Sequence, residues 1–435
     1  MSNTANFIET EIGFIPEDWD VKQLNQLVTK LGDGLHGTPE YDDTGDYYFI
    51  NGNNLVNGKI VINENTRKCS KSEFEKYKKE LTNRTIFVSI NGTLGNIALY
   101  EGEQIILGKS ACYFNVKDEF SKLYVQYALK NKTFQNHIQL TATGTTIKNV
   151  SLKQMREYTF GIPKNLSEQE TIAKILSDLD SKIELLQKQN NTLERIGQSI
   201  FKQWFVDFEF PNEEGKPYKS SGGEMIESEL GEIPEGWSVG FLDDGVSTKL
   251  IKTGINDFEG EKIYLDTASV QNSDIVDATT KITLQEKPSR ANMQPIPKSI
   301  WFAKMKDSKK VLLIDEFDDM ILNEMILSTG FSGLQPLNGL LYYIWTIIHS
   351  DKFEIEKNSF CLGTTMQAIN NENIRKIKYL IPDNRVITLF NTTVSKNYVK
   401  ISLNKLEIVS LQKTRDLLLP KLMSGQIRVP LEVEE

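Results

Sequence analysis

Two stretches of the chain step their apolar positions 4-3-4-3 without a slip. In the first these are Ile172, Leu176, Leu179, Ile183, Leu186, Asn190, Leu193, Gly197, Ile200 and Trp204. In the second they are Phe390, Val394, Asn397, Ile401, Asn404, Ile408, Leu411, Arg415, Leu418 and Leu422. A sustained 3.5-residue period predicts coiled-coil helices, and two stripes of matching length in one chain predict that they pair with each other. At about 1.5 Å per residue, a helix of roughly 40 residues spans about 60 Å. Ser167 with Glu170 three residues on reads as a capping box at the start of the first helix, bounded by Pro163 upstream and Pro211 downstream. Polar Asn190, Asn397 and Asn404 at seam positions lower stability but fix register.

The rest of the chain reads as short apolar runs separated by Gly and Asn turns, the pattern of β-strands. The runs are Tyr47 to Ile50, Thr85 to Val88, Asn96 to Tyr100, Lys262 to Leu265, Ser299 to Phe302 and Lys310 to Ile314. Helical stretches are expected around Phe120 to Asn136 and Gly339 to Lys352.

These elements are arranged as a duplication. Ile15-Pro16-Glu17-Asp18-Trp19 recurs as Ile233-Pro234-Glu235-Gly236-Trp237, 218 positions later. Gly144-Thr145-Thr146 recurs as Gly363-Thr364-Thr365, and Ile162-Pro163 as Ile381-Pro382, each 219 positions later. Matches in one order at nearly one offset identify a repeat half the chain long. The segment from Asn212 to Ser228, with Glu214-Gly215-Lys216-Pro217 and Ser220-Ser221-Gly222-Gly223, has the composition of a surface linker. The expected organisation is a globular half at 1–166, a long helix at 167–210, a linker and second globular half at 211–383, and a second long helix at 384–428. The class is α+β.

Length agrees, since 435 residues exceed one ordinary domain. Apolar residues make up 39% and charged residues 25%, as in folded globular proteins. The longest apolar run, Leu340 to Ile348, is far short of the roughly 20 residues a membrane span needs. Asn3, Thr4 and Asn6 lead into Glu9 and Glu11, without the order of a signal peptide, so the expected location is the cytoplasm. Cys69, Cys112 and Cys361 are odd in number and far apart, which supports neither a disulfide framework nor a zinc knuckle.

The net charge of −9 argues against a uniformly basic nucleic-acid binder, but its distribution matters more than its sum. From Lys59 to Arg84 there are eight Lys and Arg against four Glu; from Lys281 to Lys310 there are eight against Glu286 and Asp307. The two segments overlap when the repeat offset is applied, and Phe74, Tyr77, Trp301 and Phe302 are interleaved. Phosphate neutralisation needs such clusters, and base reading needs Arg, Lys, Asn or Gln on elements that reach a groove. The candidate DNA contacts are Arg67, Lys68, Lys71, Lys76, Lys78, Lys109, Thr145, Thr146 and Lys148 in the first half. In the second they are Arg290, Lys298, Lys304, Lys306, Lys309, Lys310, Thr364 and Thr365. A solvated charged face is the alternative reading of both segments.

Catalytic patterns are scarce. No Asn-Pro-Pro-aromatic motif is present, and Gly108-Lys109-Ser110 follows Gly102 at the wrong spacing for a phosphate-cradling loop. Glu214 and Lys216 with Asp207 make a poor nuclease motif because they fall in the linker. His36, His137 and His349 have no triad or metal spacing. A binding module is favoured, with an unrecognised nuclease or methyltransferase and a coiled-coil adaptor without a DNA role as the open alternatives.

Several segments together resemble the specificity subunit of type I restriction-modification systems. They are the Ile-Pro-x-x-Trp head of each half, the Gly-Thr-Thr segment leading to Ile-Pro, and then Ser167-Glu168-Gln169-Glu170-x-Ile172-Ala173. Further along come Leu193-Glu194, Ser199-Ile200-Phe201-Lys202-x-Trp204-Phe205 and Pro211-Asn212-Glu213-Glu214-Gly215-Lys216-Pro217-Tyr218. The second half departs by lacking the Glu-Gln-Glu opening of its long helix. The resemblance implies two target-recognition domains, each reading one part of a split site in double-stranded DNA, joined by an antiparallel helix pair. It implies that two methyltransferase subunits dock on that pair and supply S-adenosylmethionine, and that restriction subunits supply ATP- and Mg²⁺-dependent cleavage. The chain itself would bind no cofactor or metal and have no catalytic residue. Ile172, Leu176, Leu179, Ile183, Leu186, Asn190, Leu193, Ile200, Trp204, Ile401, Ile408, Leu411, Leu418 and Leu422 would serve helix pairing and docking.

Overall fold

The computed structural model describes residues 6–363 and 367–430. They divide into two compact units, with boundaries between Glu184 and Leu185 and between Ile408 and Val409. Each long helix contributes one part to each unit.

The first unit opens with a hairpin, Phe7–Thr10 against Gly13–Pro16. Trp19–Gln23 then pairs antiparallel with Thr159–Pro163, bringing the head and tail of the globular part together. At its centre is an antiparallel sheet in the order Ile97–Leu99, Thr85–Ser89, Ala111–Val116, Val28–Asp33. Every residue of Thr85–Ser89 is buried because the sheet is covered on both faces, and this explains why that run lacks polar alternation. Ile86 and Val88 face the main core, with Phe114, Tyr124, Phe134 and the helix residues Ile172 and Leu176. Phe87 faces a second core beneath a smaller sheet, in which Ile105–Leu107 runs parallel to Tyr47–Ile50 and Lys68–Cys69 runs antiparallel to it.

The second unit repeats this plan. Its hairpin is Met225–Ser228 with Gly231–Pro234, its closing pair Ser238–Phe241 with Lys378–Ile381. Its central sheet runs Val311–Ile314, Ser299–Ala303, Phe331–Pro336, Thr248–Leu250. A second parallel pair joins Lys262–Leu265 to Met325–Leu327. Trp301 faces one core, Ile300 and Phe302 the other. The units differ in their additions. The first adds the helix Lys71–Tyr77, and the second adds the strand Ala291–Met293 beside Met325–Ser328.

Four expectations change. The expected single helical stretch of each half is two short helices. Lys122–Lys130 and Lys132–Thr141 meet at extended Asn131; Leu341–His349 and Asp351–Ser359 meet at extended Ser350, whose hydroxyl accepts from Phe353 N. Such side chains favour caps over helix interiors.

The first long helix runs Leu166–Phe201, and its cap is Asn165 rather than Ser167: Asn165 Oδ1 accepts from Ser167 N at 2.8 Å. The Thr171 hydroxyl donates to Ser167 O at 2.8 Å. The helix ends in a π-helical turn, Lys202–Val206. The second long helix, Asn384–Met423, is capped by Asp383, whose Oδ1 accepts from Arg385 N and Val386 N.

The seam of the second helix also shifts by one place. Tyr398, 1% exposed, takes the position expected for Asn397, which is only half-buried. A tyrosine fits there because Gly197 faces it: a Cβ at Gly197 would lie 2.6 Å from Tyr398 Oη.

The segment expected to be a linker is ordered. Tyr218 stacks on Phe210 at 4.5 Å, and Phe210 on Trp237 at 5.2 Å, so it packs on the core of the second unit. Met225–Ser228 is already a strand of the second repeat, which begins before Ile233-Pro234. The equivalence extends to side chains: the Thr10 hydroxyl donates to Gly13 O, and the Ser228 hydroxyl to Gly231 O, each at 2.6 Å.

Candidate nucleic-acid interface

In both units the residues that flank the Gly-Thr-Thr segment exchange a reciprocal pair of backbone hydrogen bonds. Thr143 and Asn149 exchange them at 2.9 and 2.8 Å, Leu362 and Ala368 at 3.0 and 3.1 Å. Gly144 (φ +100°) and Gly363 (φ +122°) lie where side chains are strained, which is why glycine opens the motif. Thr364 and Thr365 lie outside the described residues.

Each loop sits against the turn that follows the central strand through two bonds, and a third ties that turn to another segment, in the same way in both units. Gly92 N donates to Lys148 O, and Lys306 N to Gln367 O. Val150 N donates to Ile90 O, and Ile369 N to Lys304 O. Ile90 N donates to Ser110 O, and Lys304 N to Gly330 O. The two units therefore assemble the same three segments side by side.

In the first unit this gathers Lys109, Thr145, Thr146 and Lys148, all exposed, from segments distant in sequence. Amides and hydroxyls complete the cluster. Asn91 donates to Asn149 through its side-chain amide at 3.1 Å, the Ser110 hydroxyl donates to Asn51 Oδ1 at 2.9 Å, and the Thr93 hydroxyl donates to Asn53 Oδ1 at 3.3 Å. Charge alone could not point to these groups. The signal for them was the turn chemistry of Asn51-Gly52-Asn53 and Asn91-Gly92.

The remaining candidates of this unit stand elsewhere. Arg67 lies over Tyr41, itself 45% exposed and beside Phe49, with its guanidinium 5.5 Å from the Tyr41 ring centre. Lys68 is half-buried in the small sheet, and Lys71 and Lys76 are exposed on the helix Lys71–Tyr77. The Tyr77 hydroxyl and Glu73 raise the Lys76 pKa, and Lys78 is ion-paired to Glu75. Basic residues here are thus partly neutralised by acidic neighbours on the same short helix.

In the second unit, Lys304 and Lys306 lie on the turn itself. Arg290 is brought beside it because Thr329 N donates to Arg290 O at 2.8 Å, next to Gly330. Burial lowers the Lys304 pKa. Lys310 Nζ is tied to Thr267 O at 2.5 Å. Lys298 pairs with Glu316 at 2.8 Å, which raises its pKa, and Lys309 pairs with Asp351 at 2.6 Å. The candidates that converge are therefore Lys109, Thr145, Thr146 and Lys148 in one unit and Arg290, Lys304 and Lys306 in the other.

The helix residues are mostly turned inward. Ile172, Leu176, Ile183 and Leu422 are buried in the first unit, with Leu179, Leu411 and Leu418 half-buried. Leu186, Trp204, Ile401 and Ile408 are buried in the second, with Asn190, Leu193 and Ile200 half-buried. In both units paired positions run in opposite directions along the chain. In the first, Arg415 bonds Asp180 at 2.8 Å and Arg428 bonds Glu168 at 3.1 Å. In the second, Asn404 bonds Asn190 at 2.7 Å, and Trp204 packs on Phe390. The apolar side chains exposed on these helices are others, among them Leu185, Leu403 and Leu417.

The Ser-Glu-Gln-Glu segment has a structural task. Buried Glu168 accepts from Trp19 Nε1 at 3.4 Å, while buried Gln169 accepts from Ser121 N and donates to Pro163 O. In the second half Val386 stands where Glu168 stands in the first, and the buried Trp237 Nε1 has no hydrogen-bond partner among the described residues.

Among the described residues no group of three or more His, Cys, Asp and Glu could hold a metal ion, and no helix is long and apolar enough to cross a membrane.

Residues 16–195 match the family described as the type I restriction modification DNA specificity domain. The chain is 28% identical to the type I restriction enzyme MjaIX specificity subunit of Methanocaldococcus jannaschii, over 98% of this chain and 97% of that protein. It is 23% identical to the type I restriction enzyme HindI specificity subunit of Haemophilus influenzae, over 65% of this chain and 72% of that protein. Its fold is similar to the crystal structure of the type I restriction-modification S subunit from M. genitalium, with a TM-score of 0.56, 19% identity and 97% of each chain covered. The chain is thus similar over nearly its whole length to type I restriction enzyme specificity subunits, and its residues 16–195 match the DNA specificity domain.

Proposed function

We propose that each unit reads one part of a bipartite site in double-stranded DNA, on behalf of methyltransferase subunits that dock on the long helices. The observation that carries this reading is the one-for-one recurrence of the converging loops in both units. A duplicated reader with two equivalent polar loop clusters suits a site in two parts. Lys109 and Lys148 on one cluster, and Arg290 and Lys306 on the other, supply the cations for phosphate contact; the flanking amides and hydroxyls supply donors and acceptors for base edges.

The chain's task is recognition without catalysis. In this reading S-adenosylmethionine, ATP and Mg²⁺ are used by the methyltransferase and restriction subunits, and the chain works in the cytoplasm. The long helices set the unread spacer. Removing seven residues from both at matched positions should shorten it by about 3 base pairs, taking about 1.5 Å per helical residue and about 3.4 Å per base pair. A spacer that stays unchanged in the methylation motif of that variant contradicts the ruler.

A further inference from the structure

The turn bearing Lys304 and Lys306 is held from below by two adjacent residues of the short helix Asp351–Ser359. Lys357 is 1% exposed, and its ammonium donates to three backbone carbonyls of the turn: Ala303 at 3.2 Å, Met305 at 3.0 Å and Ser308 at 3.2 Å. Glu354, one helical turn back, balances the charge at 2.8 Å. Asn358 grips the tip from the next position. Its Oδ1 accepts from Asp307 N, and its Nδ2 donates to Asp307 Oδ1, both at 3.0 Å. The gripped residue is itself strained, since Asp307 has φ +53°.

Burying a lysine is costly unless its donors are satisfied, and here a carboxylate and three carbonyls of one turn satisfy it. The first unit holds its equivalent turn with neutral groups, among them Gln135 Nε2 to Gly95 O at 3.1 Å, Asn91 to Asn149 and Thr93 to Asn53. The charged clamp coincides with the turn that carries the cations.

We infer that Lys357 and Asn358 are positioning residues for base reading by the second unit, fixing the Lys304–Lys306 turn without touching DNA. This rests on the reading that each unit recognises one half-site. A side chain that reads a base edge must be placed to within a few tenths of an ångström, so a turn released from its clamp loses discrimination in its own half-site only.

The test is the methylation motif produced by the chain with its methyltransferase subunit, for the natural chain, Lys357→Gln and Asn358→Ala. Expected is a second half-site that becomes degenerate at one or more positions, or cognate methylation reduced roughly tenfold, with the first half-site unchanged. Asn358 is half-buried and uncharged, so Asn358→Ala tests the clamp even where Lys357→Gln fails to fold. Even loss of methylation at all sites in Asn358→Ala, in proportion to the folded protein, would make the clamp merely structural and overturn the inference. So would an unchanged second half-site in Asn358→Ala. A natural chain that yields no bipartite motif removes the underlying reading instead, and the clamp's role with it.

Discussion

Asn404, fully buried in the second long helix, donates its side-chain amide to Asn190 of the first at 2.7 Å and to Gln189 at 2.9 Å. Polar partners in an otherwise apolar seam cost stability and reward one alignment. Asn404→Ala should therefore cost about 1–2 kcal/mol, because it strands the Asn190 carbonyl. The double replacement Asn190→Leu with Asn404→Leu should recover that loss or exceed it. Urea unfolding of the three chains measures both, and an additive loss in the double variant contradicts the pairing.

Gly197 leaves room for the Tyr398 ring, whose hydroxyl meets Thr346 at 3.1 Å. A Cβ at Gly197 must push that ring away and overpack the seam, at a cost of about 1–3 kcal/mol. Gly197→Ala should lower the melting temperature despite the better helix propensity of alanine, and Tyr398→Leu in the same chain should restore part of it. A rise on Gly197→Ala alone would show that the ring yields freely.

A pH dependence follows from Arg428. Its guanidinium holds the Asp18 carboxylate below its ordinary value of 3.8, and also meets Glu168, whose pKa burial raises. A depressed carboxylate stabilises the fold above its unfolded pKa, and that contribution fades as pH falls through the folded value. Asp18→Asn should cost under about 1 kcal/mol at pH 7, since the pair is partly exposed, and the gap to the natural chain should close below about pH 3.8. Arg428→Met should cost more at pH 7, about 3–5 kcal/mol, by leaving buried Glu168 without its cation. Equal losses in the two variants would contradict this ordering.

Cations on the converging loops and cations held in ion pairs should respond differently to replacement. In the complex with the methyltransferase subunits, Lys109→Ala and Lys148→Ala should each weaken DNA binding and reduce the salt slope by about 1. Lys78→Ala and Lys298→Ala should leave the slope unchanged, because Glu75 and Glu316 hold those ammonium groups. Equal effects from all four would mean that the converging loops are not the DNA face.

Much of the fold was legible. The 4-3 stepping found both helices because a seam buried on one side imposes its period on the sequence, and the Ile-Pro-x-x-Trp and Gly-Thr-Thr repeats found the duplication. The repeat's first hairpin was missed because Glu9-Thr10-Glu11 and Glu227-Ser228-Glu229 look like solvated polar stretches until their strands are paired. Tyr398 was missed because the space that admits it belongs to Gly197, about 200 residues away in sequence. The loop cluster was only half visible. Lysines and arginines can be counted along a chain, but whether each is free or held, as Lys298 is by Glu316, depends on neighbours that only folding supplies. Lys357 shows the converse. It reads as one more surface charge, yet it is buried beneath the turn that it fixes.

The most direct test of bipartite recognition is single-molecule methylome sequencing of a methylation-free host expressing this chain with its neighbouring methyltransferase subunit, compared with either alone. The account predicts a methylated-adenine motif in two parts with an unread gap, present only when both are expressed. Assembly of the two proteins with no new motif would contradict it and leave a helical adaptor.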